Sequence, residues 1–341
     1  MKHKKIIVWG AKPDTGHTHS FVHSAYVRAA QYLNVEVYWL DNRDNVEPEF
    51  FDDSIIISEQ WLVTRNGLSN NLPLRKSSHY FVNYVGNKPA SPDNEMNPGA
   101  SHYIDRVGRL TEFRFACNWG VDGVPDKAWA YKFEKEKCEQ LPNSFASFEK
   151  GKDYDILYTL WASDLTPDEI NFEDRLTTFK EPKYAFFSGT ISKGWGNADD
   201  GNESLFMPFI QECEKNGIAF AYNNSHQTPV THQQLKKWVL ESFIPLDIRP
   251  KNHLANNYVP DRLLKNVSYG QLPITNSKAA YEFFDGDAAY SSDTAELFHI
   301  AKEMQEDPKT KDRILNQMKK VKEYHTFVNR LKDIIHISES L

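Results

Sequence analysis

The sequence predicts an α/β protein made of two doubly wound domains that face each other across a cleft. Three observations carry this. The chain opens strand, polar loop, helix, strand within about forty residues, the start of a nucleotide-binding-like layer. A second alternating series of short apolar runs and amphipathic segments begins near Lys183. The length of 341 residues corresponds to roughly two domains of ordinary size. The expected division is an N-terminal domain over 1–170 and a second over 171–315, with the turn of chain between them near 165–182. The last helix, 316–341, is expected to pack back on the first domain.

The elements follow in order. KKIIVWG (4–10) is a short apolar run closed by a glycine and reads as a buried parallel strand. AKPDTGHTHS is a polar loop, FVHSAYVRAAQYL has helical spacing, and VEVYWLD reads as the second strand. SIIIS (54–58) and HYFVNYV (79–85) are the third and fourth. Residues 86–150, with the loop NKPASPDNEMNPG, predict irregular and partly strand-like structure. DYDILYTLWASDL (153–165) is a further buried strand, and Pro167 fits the first turn of a short helix after it.

In the second series KYAFFSGT is a strand ending in a Ser-Gly-Thr turn. ESLFMPFIQECEKNG is an amphipathic helix stopped by Gly217. IAFAY is a strand, and THQQLKKWVLES is a helix with Thr231 and Gln234 placed as a capping box. FIPLDIR is a strand, VPDRLLKNVSYG a helix, QLPITN a strand and KAAYEFF a short helix. DTAELFHIAKEMQED is a helix capped by Asp293, and the tail from Pro308 to about His336 reads as one long helix.

Composition excludes several classes. Forty Lys and Arg against 47 Asp and Glu give a net charge of −7, the wrong sign for a protein whose business is gripping a nucleic-acid backbone. No stretch approaches the ~20 apolar residues of a membrane span. Three scattered cysteines, Cys117, Cys138 and Cys213, argue against a disulfide framework or a zinc cluster. With no apolar leader at the start, the expected location is the cytoplasm.

The residues richest in chemistry lie between Pro245 and Asn276. A strand delivers Arg249, Lys251 and Asn252 to its carboxyl end, where open α/β sheets bind ligands. A polar loop with Asn257 and Tyr258 leads to a helix start carrying Arg262. Free N–H groups at that start, with cations beside them, form a site for a small diphosphate. The local knot of cations inside an acidic chain points to a small anion and away from a nucleic acid.

DRLLKNVSYGQLPIT resembles the donor-binding segment of GT-B glycosyltransferases: Arg262, Leu263, Leu264, Gly270, Pro273 and Ile274 match its pattern. In length and layout the chain is similar to phage DNA β-glucosyltransferases and to sugar transferases of large DNA viruses, which implies a GT-B fold of two Rossmann-like domains and, for a viral chain, the host cytoplasm. The resemblance implies that Arg262 contacts the donor diphosphate. The family's Glu, which holds the ribose hydroxyls, is replaced by Lys265, and Asn266 is the candidate substitute. The turn Ser188, Gly189 and Thr190 takes the place where the first strand of the second domain approaches the phosphates. Asp14, His17 and His19, in the loop after the first strand, are candidates for the general base that takes the acceptor's proton.

The same residues admit rival readings. His17, His19, His23 and Asp14 could hold a metal, but no second cluster completes a hydrolase site. Asp285-Gly286-Asp287 looks like a metal-binding DxD motif but sits late in the chain, where Asp-Gly reads as a turn. Trp161 and Asp164 are candidates for the cleft floor, and Tyr258 with residues 223–228 for the base pocket. The expected activity is transfer of a hexose, glucose favoured, from a UDP-sugar to a glycan or small hydroxyl acceptor, without a metal or other cofactor and with inversion preferred. The alternative is a non-catalytic nucleotide-sugar binding protein.

Overall fold

The computed structural model describes residues 3–12, 19–58, 72–83, 103–119, 125–128, 135–171, 184–193, 201–224, 227–228 and 230–340. The first half is organised around one nine-stranded sheet. Its elements are β1 (Lys5–Trp9), α1 (Ser20–Tyr32), β2 (Val37–Leu40), β3 (Ser54–Ser58), β4 (His79–Asn83), β5 (Arg109–Trp119), β6 (Pro125–Ala128), β7 (Cys138–Gln140), β8 (Ser147–Glu149) and β9 (Asp155–Thr159). The strand order is β2-β1-β3-β4-β5-β9-β8-β7, with β6 paired on β5. β2, β1, β3, β4, β5 and β9 run parallel, and β8 and β7 extend the edge antiparallel.

β1 shows why an unbroken apolar run makes a central strand. Side chains alternate across a sheet, so a strand covered on both faces must be apolar at every position. Ile6 and Val8 enter one core with Val22, Ala25 and Ala29 of α1. Ile7 and Trp9 enter the other, with Phe51, Tyr80 and Leu110. The segment expected to be irregular and partly strand-like holds β5, whose parallel register with β4 and β9 continues the sheet.

The second half comprises β10 (Tyr184–Ser188), α2 (Glu203–Lys215), β11 (Ala219–Asn223), α3 (His232–Glu241), β12 (Ile244–Pro245), α4 (Lys251–Ala255), α5 (Asp261–Ser268), β13 (Ile274–Thr275), α6 (Lys278–Phe283), β14 (Ala289–Tyr290), α7 (Thr294–Glu306), α8 (Thr310–Tyr324) and α9 (Phe327–Ser340). β11-β10-β12 and β13-β14 are parallel groups, and a parallel bridge between Asp247 and Thr275 joins them. α2 ends at Gly217, whose φ of +69° suits a residue without Cβ. The Thr231 side chain caps α3 by accepting from the Gln234 N–H at 3.1 Å, and Asp293 caps α7 through the amides of Ala295 and Glu296.

Asp285 and Gly286 both have positive φ, +58° and +77°, and the carboxylates of Asp285 and Asp287 pair with Lys320 and Arg313. The segment is a turn tied to α8. The tail departs from expectation: it is two helices, not one. The chain breaks at His325 and Thr326, where Ser163 pairs in β fashion, its N–H donating to the His325 carbonyl at 2.8 Å. Thr326 and Asn329 then exchange hydrogen bonds at the start of α9. The break redirects the chain onto the first half, where Phe327, Leu331, Ile334 and Ile337 enter the core that holds Ile6 and Val8. Of the expected division near 165–182, residues 172–182 lie outside the described residues.

Candidate functional site

A cavity of about 970 Å³ lies at the carboxyl ends of β10 and β12, between the two halves. That volume suits a small-molecule ligand. The second half supplies the turn Ser188, Gly189 and Thr190 after β10, Arg249, Pro250, Asn252 and His253 after β12, and Asp261, Arg262 and Lys265 from the first turns of α5. The first half contributes His19 and Phe21 from the start of α1 and Trp161 beyond β9.

Arg262 is held on several sides. Its Nε donates to the Ser188 carbonyl, its Nη1 donates to Asp247 Oδ1 at 2.6 Å, and its guanidinium lies 4.3 Å from the centre of the Phe187 ring. Gly189 makes this approach possible, because a Cβ there would fall 2.2 Å from Arg262 Nη2. Burial, and then Arg249 nearby, push the Arg262 pKa down. Arg249 donates from Nε to Asp247 Oδ2 at 2.8 Å and reaches Oδ1 through Nη2 at 2.6 Å. Its guanidinium faces Tyr258 at 5.5 Å, and its backbone is pinned by the Asn276 side chain. His253 lines the same wall with its ring 4.9 Å from that of Tyr258. Burial, then the Arg249 charge, lower its pKa to about 4, so it is neutral at pH 7.

The arginines at this strand end and helix start are therefore partly neutralised. Asp247, fully buried behind the cavity, pairs with both arginines. Lys265 donates to Asp261 at 2.8 Å and lies 5.2 Å from the centre of the Phe21 ring, which comes from the opposite half. Arg249, Arg262 and Lys265 against Asp247 and Asp261 leave one net positive charge.

Most of the predicted residues meet at this cavity: Ser188, Gly189, Thr190, Arg249, Asn252, Tyr258, Arg262 and Asn266 line it, with His19 and Trp161 opposite. Lys251 and Asn257 are not among the lining residues. Lys251 begins α4 exposed, and Asn257 ends that turn of chain at a φ of +54°. Asn266 reaches the lining, but its side-chain amide donates to the Pro245 carbonyl at 3.1 Å. That bond ties α5 to β12. Asp14 and His17 lie outside the described residues, as do Ser225 and His226. His19 sits at the start of α1 with its ring 5.9 Å from that of Trp161. His23 is turned inward, its Nδ1 3.2 Å from the Ala11 carbonyl, under Gly10. Among the described residues no group of three His, Cys, Asp or Glu side chains is placed to hold a metal.

Sequence reasoning missed Asp247 and Asp261 and gave His253 no role. A lone acid inside the apolar run FIPLDIR was the available signal for Asp247, because a charge there must find partners. Below the cavity, Asp164 accepts from the Tyr269 hydroxyl at 2.9 Å and from His232 Nδ1 at 2.6 Å. Burial acts to raise its pKa, but these hydrogen bonds and the charge of Lys265 outweigh it and hold the carboxyl well below the ordinary range.

No family model matches the chain, and neither does any curated protein sequence. Solved structures do match over nearly the whole length. One is an alpha-glucosyltransferase in complex with UDP and a 13-mer DNA containing a HMU base, with a TM-score of 0.52, 13% identity, and coverage of 98% of this chain and 100% of that one. The fold is GT-B. Two structures of T4 phage BGT also match with a TM-score of 0.50, one with its UDP-glucose substrate at 11% identity, the other with UDP and Mn2+ at 13% identity. They cover 98% and 97% of this chain, and 99% of the phage protein in each case. In GT-B terms the cavity lies in the cleft, on the side built by the second half.

Proposed function

We propose that this protein is a glycosyltransferase that moves a hexose, glucose first among candidates, from a UDP-sugar to a hydroxyl acceptor. The observation that carries the reading is the convergence, in one cavity, of Arg249, Arg262 and the close-packed turn at Gly189, opposite His19 and Trp161. The two guanidiniums offer the charge needed where a diphosphate leaves, since negative charge on it grows in the transition state. Their fixed attachment lets them act without reorganising. The acceptor enters from the first half, where Asp14, His17 or His19 takes its proton. Inversion and independence of metal belong to the proposal, with arginines doing for the phosphates what a cation does elsewhere. A glycan or small hydroxyl compound is the preferred acceptor, on the net charge of −7. The DNA complex of a full-length structural neighbour puts hydroxymethylated DNA in the test as well.

The test is release of UDP from UDP-glucose, and from a panel of other nucleotide sugars, with glycans, small alcohols and hydroxymethylated DNA as acceptors. Each run is repeated in EDTA and with added Mn2+. Turnover with one acceptor, unchanged by EDTA, is the expected result. Tight UDP binding with no turnover across the panel would leave a nucleotide-sugar binding protein. Activity abolished by EDTA and restored by Mn2+ would overturn independence of metal.

A further inference from the structure

Two guanidiniums side by side repel each other, yet Arg249 and Arg262 share one wall of the cavity. What holds them there is one carboxylate. Asp247 is 0% exposed, and its backbone is fixed in the sheet by the bridge to Thr275 and by donation from its N–H to the Ile274 carbonyl at 2.9 Å. Oδ1 accepts from Arg249 Nη2 and from Arg262 Nη1, both at 2.6 Å, and Oδ2 accepts from Arg249 Nε at 2.8 Å. Aromatic rings back the two cations, Tyr258 behind Arg249 and Phe187 behind Arg262. The Ser188 carbonyl takes Arg262 Nε. Among the described residues, the terminal nitrogens these contacts leave over are Arg249 Nη1 and Arg262 Nη2, and the second of these lies over Gly189.

We infer that Asp247 is the positioning residue of the donor site: it clamps Arg249 and Arg262 in one fixed arrangement and so aims their remaining N–H groups at the phosphates of the ligand. This rests on the function proposed above. A bare carboxylate near a diphosphate would oppose binding. Buried and saturated by two arginines, Asp247 instead gives the pair rigidity, which the sheet anchors through its backbone. Phosphate recognition then depends on a residue that does not touch the ligand.

The experiment compares binding of UDP and of uridine by calorimetry, because uridine lacks the groups that the clamp aims at. Asp247→Asn is expected to weaken UDP binding at least tenfold and to leave uridine binding unchanged. The double variant Asp247→Asn with Arg262→Gln is expected to be no worse than Asp247→Asn alone, because Arg262 is one of the two guanidiniums through which Asp247 acts. Unchanged or tighter UDP binding by Asp247→Asn would overturn the inference, since Asp247 would then be only a repelling charge. Equal losses for UDP and uridine would overturn it too, by showing a general structural role. Arg262→Lys provides a check that leaves Asp247 itself, and its two bonds from Arg249, in place. A lysine keeps the charge but cannot reach Ser188, Asp247 and a phosphate together. It is expected to lose as much UDP affinity as Arg262→Gln, and wild-type affinity would overturn the clamp. A wild-type protein that binds no UDP at all removes the proposed function itself, whereas UDP binding untouched by these substitutions removes only the clamp.

Discussion

Gly189 and Arg262 form a lock in which one residue's missing side chain is the space another occupies. Gly189→Ala puts a methyl group 2.2 Å from Arg262 Nη2, so the guanidinium must leave its place over the turn. UDP affinity should fall about tenfold or more, the scale of a lost charged hydrogen bond, and the φ of +157° at Gly189 means that thermal stability should fall as well. His253 allows a test in pH. Its folded-state pKa of about 4 lies below the ordinary histidine value, so between about 4 and 6.5 the unfolded chain binds more protons than the folded one. Stability should therefore decline as pH falls through that window, and His253→Gln should flatten the decline by up to about 2 kcal/mol after allowance for partial exposure. Urea midpoints measured from pH 7 to pH 4 on both proteins would show it. At this scale the sequence disclosed the arginines, because cations at a strand end are visible in the order of residues. It hid Asp247, because pairing of one acid with two partners is a fact of side-chain direction in three dimensions.

At the scale of elements, local rules read well where an element is closed by its own residues. Thr231, Asp293 and Gly217 mark helix ends that depend on neighbours a few positions away. The rules failed where an end is imposed from a distance. Nothing periodic in KKVKEYHTFVNRL announces the break between α8 and α9, since it is made by Ser163 of another segment. The length of β5 was equally hidden, because a mixed sequence such as RLTEFRFACNW becomes a strand by having β4 and β9 on either side. Asp164 and Tyr269 tie the end of the first half to α5, and this joint has a predicted acid signature. The Asp164 carboxyl is held below the ordinary range, so its contribution is full above about pH 4 and fades as pH falls through the lowered value. Tyr269→Phe removes a donor to the charged form and lets that value rise. Acid unfolding should then begin at a higher pH, with a loss of roughly 1–3 kcal/mol at pH 7 measured by urea titration.

Over the whole molecule, the two-series pattern of strands and helices anticipated two doubly wound halves, the resemblance of the Arg262 segment added the GT-B expectation, and the solved structures agree over 97–98% of the chain at only 11–13% identity. Such different sequences can share a fold because the core asks for apolar character and volume more than for particular letters. The joint between the halves was less legible, since Phe21 between Lys265 and His232 is a contact no local pattern encodes. The crossing of α9 has a consequence for the order in which the molecule can be made. Ser338 meets His79 at 2.9 Å across 259 positions, and Arg330 donates to the carbonyls of Leu160 and Trp161. The first half lacks one wall of its core without α9, so its folding is expected to wait on a segment made after the second half. A fragment of residues 1–170 should remain without cooperative thermal unfolding, and a peptide of residues 325–341 added in trans should restore it. A fragment that melts cooperatively alone would show the first half to be self-sufficient. One core therefore draws its walls from both ends of a long stretch of chain, and a protein cut before α9 is expected to expose Ile6, Val8 and their neighbours to proteases that the uncut one resists.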